Sequence, residues 1–359
     1  MARGFTPNDS RYFIAKAGRV LKQRQKPARA NSTEVARLAG VSIAAVSRAF
    51  APGSSISPAL AAKVHEAARR LNYVPNNLAR SLITGQTNIV ALMLADMSNP
   101  LFAEILTEAS RRLEGIGKQI LLFTPEGGPG FDSCLQRILE YQVDAIVIAA
   151  ATISSRMARL CLDRNVPVVT IGRHLPGVRV HSVRGDGRDG GGQAAALMLA
   201  GGGRSFGIVT GPSDLTTMID RKAGIFARLE QAIDVDHVVI EDGLLTYEGG
   251  YKAALKIMAS PDRPDSLIGM TDIMALGAMD AIRHELGLKV PEDVAIIGFD
   301  DIAESSQASY RLSTIRTPTR QMVEQMIRLI SDEASMDAPE EIEIPAELVV
   351  RGSTRPVGG

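Results

Sequence analysis

The sequence predicts a small all-α helix-turn-helix head followed by an α/β two-lobed body with parallel sheets. Residues 1–84 hold 14 Lys or Arg against three acidic residues, whereas the remainder of the 359 residues hold 26 basic and 37 acidic residues. Within the basic part, the stretch NSTEVARLAGVSIAAVSRAF reads as two helices with a turn between them. After residue 87, short β-branched runs alternate with helical stretches, which is typical of parallel sheets covered by helices. A basic module on an acidic globule indicates that the head binds a polyanion.

Residues 1–30 precede the head and carry eight basic residues against one acidic residue. We interpret them as a basic, disordered N-terminal extension or as the result of a misassigned start codon. A DNA-grasping arm and, more remotely, an organelle transit peptide are the alternatives.

The head begins at Asn31, which is a good helix N-cap, and Glu34 three residues later completes the pattern of a capping box. Gly40 supplies a tight turn, and Ser42 caps a second helix. Short helices joined by this turn chemistry are typical of a helix-turn-helix, with its recognition helix at residues 43–50.

Five side chains at the recognition helix are predicted to contact DNA. Arg48 can donate two parallel hydrogen bonds to a guanine edge in the major groove, which discriminates against other bases by ~1–3 kcal/mol. Ile43 and Ala44 offer apolar contact, for instance to a thymine methyl group. The alternative is an ordinary helical surface, against which the charge asymmetry and the turn chemistry argue. The full set is Ser42, Ile43, Ala44, Ser47 and Arg48.

The body holds eight β-branched runs, from NIVALMLA near its start to VAIIGF. Eight strands exceed one small sheet, so we expect two sheets and hence two lobes. Ligands bind between such lobes, at the carboxyl ends of parallel strands. Phe102 is expected to form an apolar wall of this cleft. The alternative for a strand-end Asp, Asp272 included, is to cap the following helix or turn. The predicted polar contacts at strand ends are Ser98, Arg173, Thr271, Asp272 and Asp300.

Motifs in both parts of the chain carry a resemblance to a known family. In the head they are VARLAGVSIAAVSRAF and RRLNYVPNNLARSL. In the body they are DMSNPLFAEI, GDGRDGGGQAA, TDIMALGAMDAI, IIGFDDIAES, LSTIRTP and ELVVRGST. Over roughly residues 31–355, the sequence resembles the lactose-repressor-like (LacI/GalR) family of bacterial transcription regulators.

This resemblance implies a sequence-specific DNA-binding regulator, expected to be a repressor, with a periplasmic-binding-protein-like body. It implies a homodimer that binds a pseudo-palindromic double-stranded DNA operator. A small polar effector between the lobes is expected to change operator affinity, and whether it induces or co-represses stays open.

The expected domains are an extension at 1–30, the head at 31–75, a hinge helix and linker at 76–87, and an effector-binding and dimerisation body at 88–359. Within the body, lobe 1 is expected at about 88–183 and 316–333, and lobe 2 at about 186–313 and 334–355.

The resemblance also implies roles for single residues. Leu82 would be the apolar wedge of the hinge helix, entering the minor groove beside its dimer mate and unstacking a base step. In the cleft, Asp186 at a helix start and Arg221 would face the effector. The residues expected to support the wedge are Asn76, Ala79 and Arg80.

The stretch GDGRDG, residues 185–190, matches the G-x-G-x-x-G pattern of nucleotide-dependent enzymes. We reject this alternative because such a motif should follow a buried strand and open its domain, whereas the preceding VRVHSVR is polar and basic. No histidine pair has metal-binding helical spacing, and no G-x-S-x-G motif occurs. We therefore expect no catalytic function, metal or cofactor.

A solute-binding protein of a transport system is the second alternative, because its body would have the same pattern. The basic head argues against it, and no apolar signal-peptide core follows Met1. The two cysteines form no disulfide framework, and the apolar runs are too short to cross a bilayer. We therefore expect a cytoplasmic, nucleoid-associated bacterial protein that makes no membrane contact.

The effector is expected to be a sugar or a sugar acid. The chain has no Trp, so stacking of a hexose on indole is excluded. Leu245 lies near where some sugar-binding members place an aromatic residue. Arg173 together with Arg221 leaves room for a carboxylate or phosphate on the ligand.

Overall fold

The computed structural model describes residues 30–50, 55–75, 85–94, 97–125, 130–149, 153–261, 263–331 and 338–357. The chain divides into two compact units between Ile83 and Thr84, which we call the head and the body. The expected extension lies outside the described residues except for Ala30.

The head contains three helices, α1 (Ser32–Ala39), α2 (Ile43–Ala49) and α3 (Pro58–Arg70). The predicted capping box is present: Asn31 Oδ1 accepts from the Glu34 N–H at 3.0 Å, and Glu34 Oε2 accepts from the Asn31 N–H at 3.1 Å. These two bonds satisfy backbone donors that a helix start leaves unpaired.

The core of the head is small and built from β-branched and alanine side chains. Val35 and Val64 are fully buried, and Val46 is 1% exposed. Gly40 ends α1 with a left-handed φ of 67°, which is unfavourable for a residue with a Cβ. Local capping and this one glycine therefore set the angle at which α2 leaves α1.

The first lobe of the body is a parallel sheet of β1 (Ile89–Leu94), β2 (Gln119–Phe123), β3 (Ala145–Ala149), β4 (Val168–Ile171), β5 (His181–Gly185) and β11 (Glu341–Ile344). Its strand order is β11-β5-β4-β3-β1-β2. The helices of this lobe are α4 (Pro100–Gly115), α5 (Gly130–Glu140), α6 (Ser155–Leu162) and α11 (Thr319–Ser331).

The second lobe has a sheet of β6 (Phe206–Thr210), β7 (Val239–Asp242), β8 (Ser266–Gly269), β9 (Ala295–Asp300), β10 (Ser313–Arg316) and β12 (Glu347–Val349). Its order is β12-β10-β9-β8-β6-β7, and only β12 runs antiparallel to its neighbour. The helices are α7 (Gly187–Ala200), α8 (Thr216–Leu229), α9 (Tyr247–Met258) and α10 (Asp272–Asp280).

All eight β-branched runs form strands, but four further strands escaped the sequence pattern. β5 and β10 carry polar side chains that are nevertheless buried, among them His181, Ser313 and Thr314. The β11 strand, EIEI, alternates exposed and half-buried residues at the edge of its sheet. Hydrophobicity alone does not reveal strands whose buried polar groups bond to neighbouring elements.

The expected lobe boundary near the C-terminus is wrong for one segment. Residues 334–355 were assigned to lobe 2, yet Glu341–Ile344 pairs in parallel with β5 of lobe 1. After α11, the chain adds β11 to the edge of the lobe 1 sheet before it passes to lobe 2. It joins the second sheet only at Glu347, where β12 pairs with β10.

Within the described ranges, no helix is both long and apolar enough to traverse a bilayer. The same ranges contain no group of three His, Cys, Asp or Glu arranged to hold a metal ion. Cys134 and Cys161 are buried free thiols.

Two glycines let α7 and α8 cross at very short distance. A Cβ on Gly191 would overlap the carbonyl oxygen of Arg221, and a Cβ on Gly224 would overlap that of Arg188. This close approach sets the position of Arg221 relative to the start of α7.

We expect Gly191→Ala to destabilise the body by about 1–3 kcal/mol, because a methyl group cannot enter this backbone contact without moving a helix. Urea denaturation measures the change. Gly192→Ala is the matched control: its Cβ would lie 3.8 Å from the Gly224 oxygen, and alanine is the better helix former by ~1 kcal/mol. Equal stability of the two variants would contradict the proposed close contact.

Candidate functional site

One exposed face of α2 carries all five residues predicted to contact DNA. Ser42, Ile43, Ala44, Ser47 and Arg48 are exposed, while the two intervening residues 45 and 46 are buried. The Ile43 side chain is 51% exposed. A large apolar side chain and an arginine presented together suit the floor of a DNA major groove.

Ser42 also stabilises the start of α2. Its hydroxyl oxygen accepts from the Ala45 N–H at 3.2 Å and so caps α2. The predicted hinge residues Asn76, Ala79, Arg80 and Leu82 lie outside the described residues, so their roles remain predictions.

A cavity of about 180 Å³ lies between the two lobes of the body. It is formed where strands of both sheets end. This agrees with the expectation that ligands bind at the carboxyl ends of parallel strands. Its polar and charged lining residues are Asn99, Arg173, Arg184, Asp186, Thr217, Asp220, Arg221, Thr271, Asp300, Arg316 and Thr317. Its apolar lining residues include Leu101, Phe102, Ile105, Ile171, Leu215, Met218, Leu245, Phe299, Ile315 and Met322.

A buried ion pair lines the cavity. Arg221 Nη2 donates to Asp300 Oδ1 at 3.0 Å, and Nη1 donates to the Met270 carbonyl. The guanidinium carbon lies 4.6 Å from the centre of the Phe299 ring, a cation–π distance. Both charged side chains are at most 9% exposed, so each depends on the other for compensation of its lost hydration.

Asp300 is held in an unusual backbone conformation. Its φ of 116° lies in the region that favours glycine, and such strain costs of order 1–3 kcal/mol. Its carboxylate accepts from Thr317 Oγ1 at 3.2 Å and from Asn99 Nδ2 at 3.5 Å. Burial raises the pKa of Asp300, and the charge of Arg221 opposes that rise.

Asp272 was predicted to contact the effector, and the structure places it elsewhere. It is fully buried and does not line the cavity. Its carboxyl oxygens accept from Ile302 N–H at 3.0 Å, from Ser305 Oγ at 2.6 Å and from Thr314 Oγ1 at 2.6 Å. Asp272 therefore ties the start of α10 to β10 and to the turn after β9.

Ser98 is a second correction to the predicted contacts. It is exposed and does not line the cavity, whereas the next residue, Asn99, is buried there. Asn99 Oδ1 accepts from the Leu101 N–H at 3.0 Å and caps α4, which turns its amide nitrogen towards Asp300. The position after a strand predicted the right segment. The cap of α4 then decides which residue of that segment points into the cavity.

The other predicted contacts do line the cavity: Phe102, Arg173, Asp186, Arg221, Thr271 and Asp300. Asp186 and Thr271 are also N-caps, accepting from the Asp189 N–H at 2.8 Å and from the Met274 N–H at 3.4 Å. Sequence reasoning missed Arg184 and Arg316, because both belong to strands that the hydrophobic pattern did not reveal.

Contrary to the expectation from the polar sequence VRVHSVR, a strand does precede the G-x-G-x-x-G motif: β5 is buried over its first three residues and leads directly into α7. A different observation now opposes the alternative of a nucleotide-dependent enzyme. The Asp186 carboxylate accepts from the Asp189 N–H at the start of α7, so a negative charge already lies where a pyrophosphate would have to bind. Gly190 and Gly191 are used for packing: a Cβ on Gly190 would lie 2.9 Å from an Ile315 methyl carbon, and one on Gly191 would overlap α8.

Comparisons with known families cover the head and the body separately. Residues 33–76 match the lacI family of bacterial regulatory proteins, and residues 195–354 match a periplasmic binding protein-like domain. The transcriptional regulator CelR of Thermobifida fusca is 30% identical over 329 residues, covering 89% of this chain and 96% of CelR. The ribose operon repressor of Bacillus subtilis is 32% identical over 330 residues, covering 90% of this chain and 98% of that repressor.

Solved structures share the same architecture. A CelR–cellobiose complex has a TM-score of 0.67 at 29% identity, covering 90% of this chain and 100% of that chain. A lac repressor dimer bound to operator has a TM-score of 0.79 at 23% identity, covering 91% of this chain and 99% of that chain. The resemblance and the fold class predicted from the sequence are confirmed. The matched proteins are regulators, in keeping with the prediction that this chain is not an enzyme.

We expect Arg221→Met to destabilise the body by about 3–5 kcal/mol, because Asp300 is left as an uncompensated buried charge. Urea denaturation at pH 7 measures the loss. Arg328→Met is the control, since its ion pair with Glu340 is more than 40% exposed on both sides and should contribute little to stability. Similar losses in both variants would contradict the role of the buried pair.

We expect Asp272→Asn to flatten the pH dependence of stability between pH 5 and 8. Burial, together with the nearby Asp300, raises the pKa of Asp272 to about 8. Between its ordinary pKa near 3.8 and this value, the folded protein retains a proton that the unfolded chain has lost, so stability falls as pH rises. Asparagine does not titrate. Denaturation of the wild type, this variant and exposed Asp236→Asn at several pH values tests the expectation, which parallel curves for all three would refute.

Proposed function

This chain belongs to the lacI family of bacterial transcription regulators, and we propose that it is a homodimeric repressor of a pseudo-palindromic operator. A small polar metabolite, a sugar or a sugar acid, binds between the lobes of the body and changes operator affinity. The exposed face of α2 in a basic head is the observation that carries the DNA-binding half of this proposal.

Electrostatics supports DNA binding by the head. The excess of basic residues is confined to residues 1–84, and the remainder is acidic. Neutralising phosphates releases counterions, so affinity is expected to fall steeply with salt. Arg48 and Ile43 add the base contacts that non-specific attraction lacks.

An apolar edge of the first lobe supports dimerisation. β2 is an edge strand, and Leu122 in it is 40% exposed. Beside it, Ile116 is 51% exposed, and Tyr141 is 55% exposed and packs on the Phe123 ring. Exposed apolar groups gathered at one edge are typical of an interface. A two-fold dimer would present two heads to two half-sites.

The effector half of the proposal rests on the cavity and on the relatives. CelR was solved with cellobiose, and another relative is named for the ribose operon. The cavity combines apolar walls with converging polar groups, as binding sites for small metabolites do. Preference of the ligand for one lobe arrangement would shift operator affinity, with a typical coupling of ~1–3 kcal/mol.

The remaining parts of the proposal concern segments outside the described residues. Residues 76–87 would act as the hinge helix, with Leu82 as the minor-groove wedge supported by Asn76, Ala79 and Arg80. Residues 1–30 would be a basic extension. A repressor of chromosomal genes works where the nucleoid is, so the proposal includes a cytoplasmic location.

We expect Arg48→Ala to relax specificity at one guanine of the operator and to weaken specific binding by ~1–3 kcal/mol. Arg48→Lys keeps the charge but loses the two-pronged hydrogen bond. Fragments selected from the source genome supply the operator, and competition against unrelated duplex at several salt concentrations measures the specificity ratio.

For this test, Arg70→Ala in α3 serves as a control for loss of one exposed charge from the head. Both Arg48 variants should lose specificity, while Arg70→Ala should change only the general affinity and its salt slope. An unchanged specificity ratio in Arg48→Ala would remove α2 from base recognition. A wild-type protein with no salt-sensitive, site-selective retention of duplex, either with or without candidate metabolites, would overturn the proposed function.

A further inference from the structure

We infer that the effector is a polyhydroxylated carboxylate, a sugar acid, whose carboxylate binds Arg173. This inference deepens the proposed function and depends on it, because it concerns the ligand of the same cavity. It follows from the partners of each charged side chain that lines the cavity.

Three of the four lining arginines are already neutralised by acidic side chains. Arg184 Nη2 lies 2.9 Å from a Glu343 oxygen, and Arg221 Nη2 lies 3.0 Å from Asp300. Arg316 pairs with Asp301 at 2.7 Å and with Glu347 at 2.8 Å. None of these three has a free charge to offer a ligand.

Arg173 differs from the other three. Within the part of the chain that the structure describes, its guanidinium has no hydrogen-bond or ion-pair partner. Burial lowers the pKa of Arg173, and Asp214 opposes that effect only through its charge. A guanidinium that is partly desolvated and unpaired is unfavourable in the free protein, and a bound anion would relieve that cost.

The backbone around Arg173 is fixed in advance. Three successive carbonyls accept hydroxyl hydrogen bonds: Gly172 from Thr217 at 3.4 Å, Arg173 from Thr170 at 2.8 Å, and His174 from Thr216 at 3.1 Å. The segment is therefore held on both lobes while the side chain remains unbonded. Such preorganisation reduces the entropy lost when a ligand is bound.

The remaining lining charges select the rest of the ligand. Asp186 and Asp220 are carboxylates at the same cavity, and they can accept hydrogen bonds from ligand hydroxyls. They would repel a phosphate, which carries nearly two negative charges, more than a carboxylate with one. A carboxylate also matches one guanidinium in a two-pronged pair. A single acidic group on a polyol therefore fits better than a phosphate ester or a neutral sugar.

Calorimetry on the full-length protein tests the inference with matched probes. The acids are D-glucuronate, D-galacturonate and D-gluconate, and the comparison compounds are D-glucose, D-galactose and glucose 6-phosphate. We expect at least one acid to bind ~10- to 100-fold more tightly than its neutral parent, the range of a charge-assisted pair. Arg173→Gln should remove that preference.

Two controls separate ligand binding from a structural role. Arg164→Gln removes an exposed arginine of the same lobe and should leave acid binding unchanged. Without ligand, Arg173→Gln should unfold at the wild-type temperature or above it, because the guanidinium supports no other group. A clear loss of stability in the ligand-free variant would assign Arg173 a structural role and overturn the inference.

Three other results would also overturn it. These are binding of neutral sugars alone, preference for glucose 6-phosphate over the acids, and failure of every acid to bind at 10 mM, a concentration of order ten times a weak millimolar Kd. Operator binding is measured both without and with these ligands. Intact operator binding with any of these results would reject the sugar acid and leave the proposed repressor standing.

Discussion

A buried salt bridge between Arg221 and Asp300 is the constraint on which the body depends. Two charges removed from water are tolerable only when each is compensated, and here the compensation fixes several elements together. Arg221 is held by the close crossing of α7 and α8, and Asp300 ends β9 in a strained conformation. The same pair lines the cavity, so the group that stabilises the lobe also shapes the proposed effector site.

Polar contacts join the two lobes at the cavity. Asn99 of the first lobe reaches Asp300 of the second, and Thr216 and Thr217 reach carbonyls that follow β4. Such bonds are individually weak, of order 1 kcal/mol each. A ligand that bonds to both rims can therefore compete with them, which gives a physical route from cavity occupancy to lobe arrangement.

Charge is distributed in the chain so that the two parts behave differently towards DNA. The head is attracted by the phosphates, whereas the acidic body is not. Among the described residues of the head, the fully buried side chains are valines and alanines, and local caps and Gly40 add to its stability. In the proposed function, specific contact depends on the side chains that α2 exposes, because attraction to phosphates carries no sequence information.

The sequence by itself determined many of the features that local chemistry controls. Periodicity located the eight apolar strands, caps located the ends of α1 and α2, and the five recognition residues fall on one exposed face. The sequence also selected most of the cavity, since strand ends in parallel sheets converge. These features depend on neighbours within a few positions, so one linear pattern is enough to predict them.

Tertiary structure alone decided which polar groups meet. Asp272 and Asp300 both follow hydrophobic strands, yet one bonds to Ser305 and Thr314 while the other pairs with Arg221. The sequence treated Arg173 and Arg221 alike, and only the fold shows that one is neutralised and the other is not. The partners lie tens of positions apart in the sequence and come together only when the chain folds. No local pattern encodes them, because their distance is set by the packing of whole helices and strands.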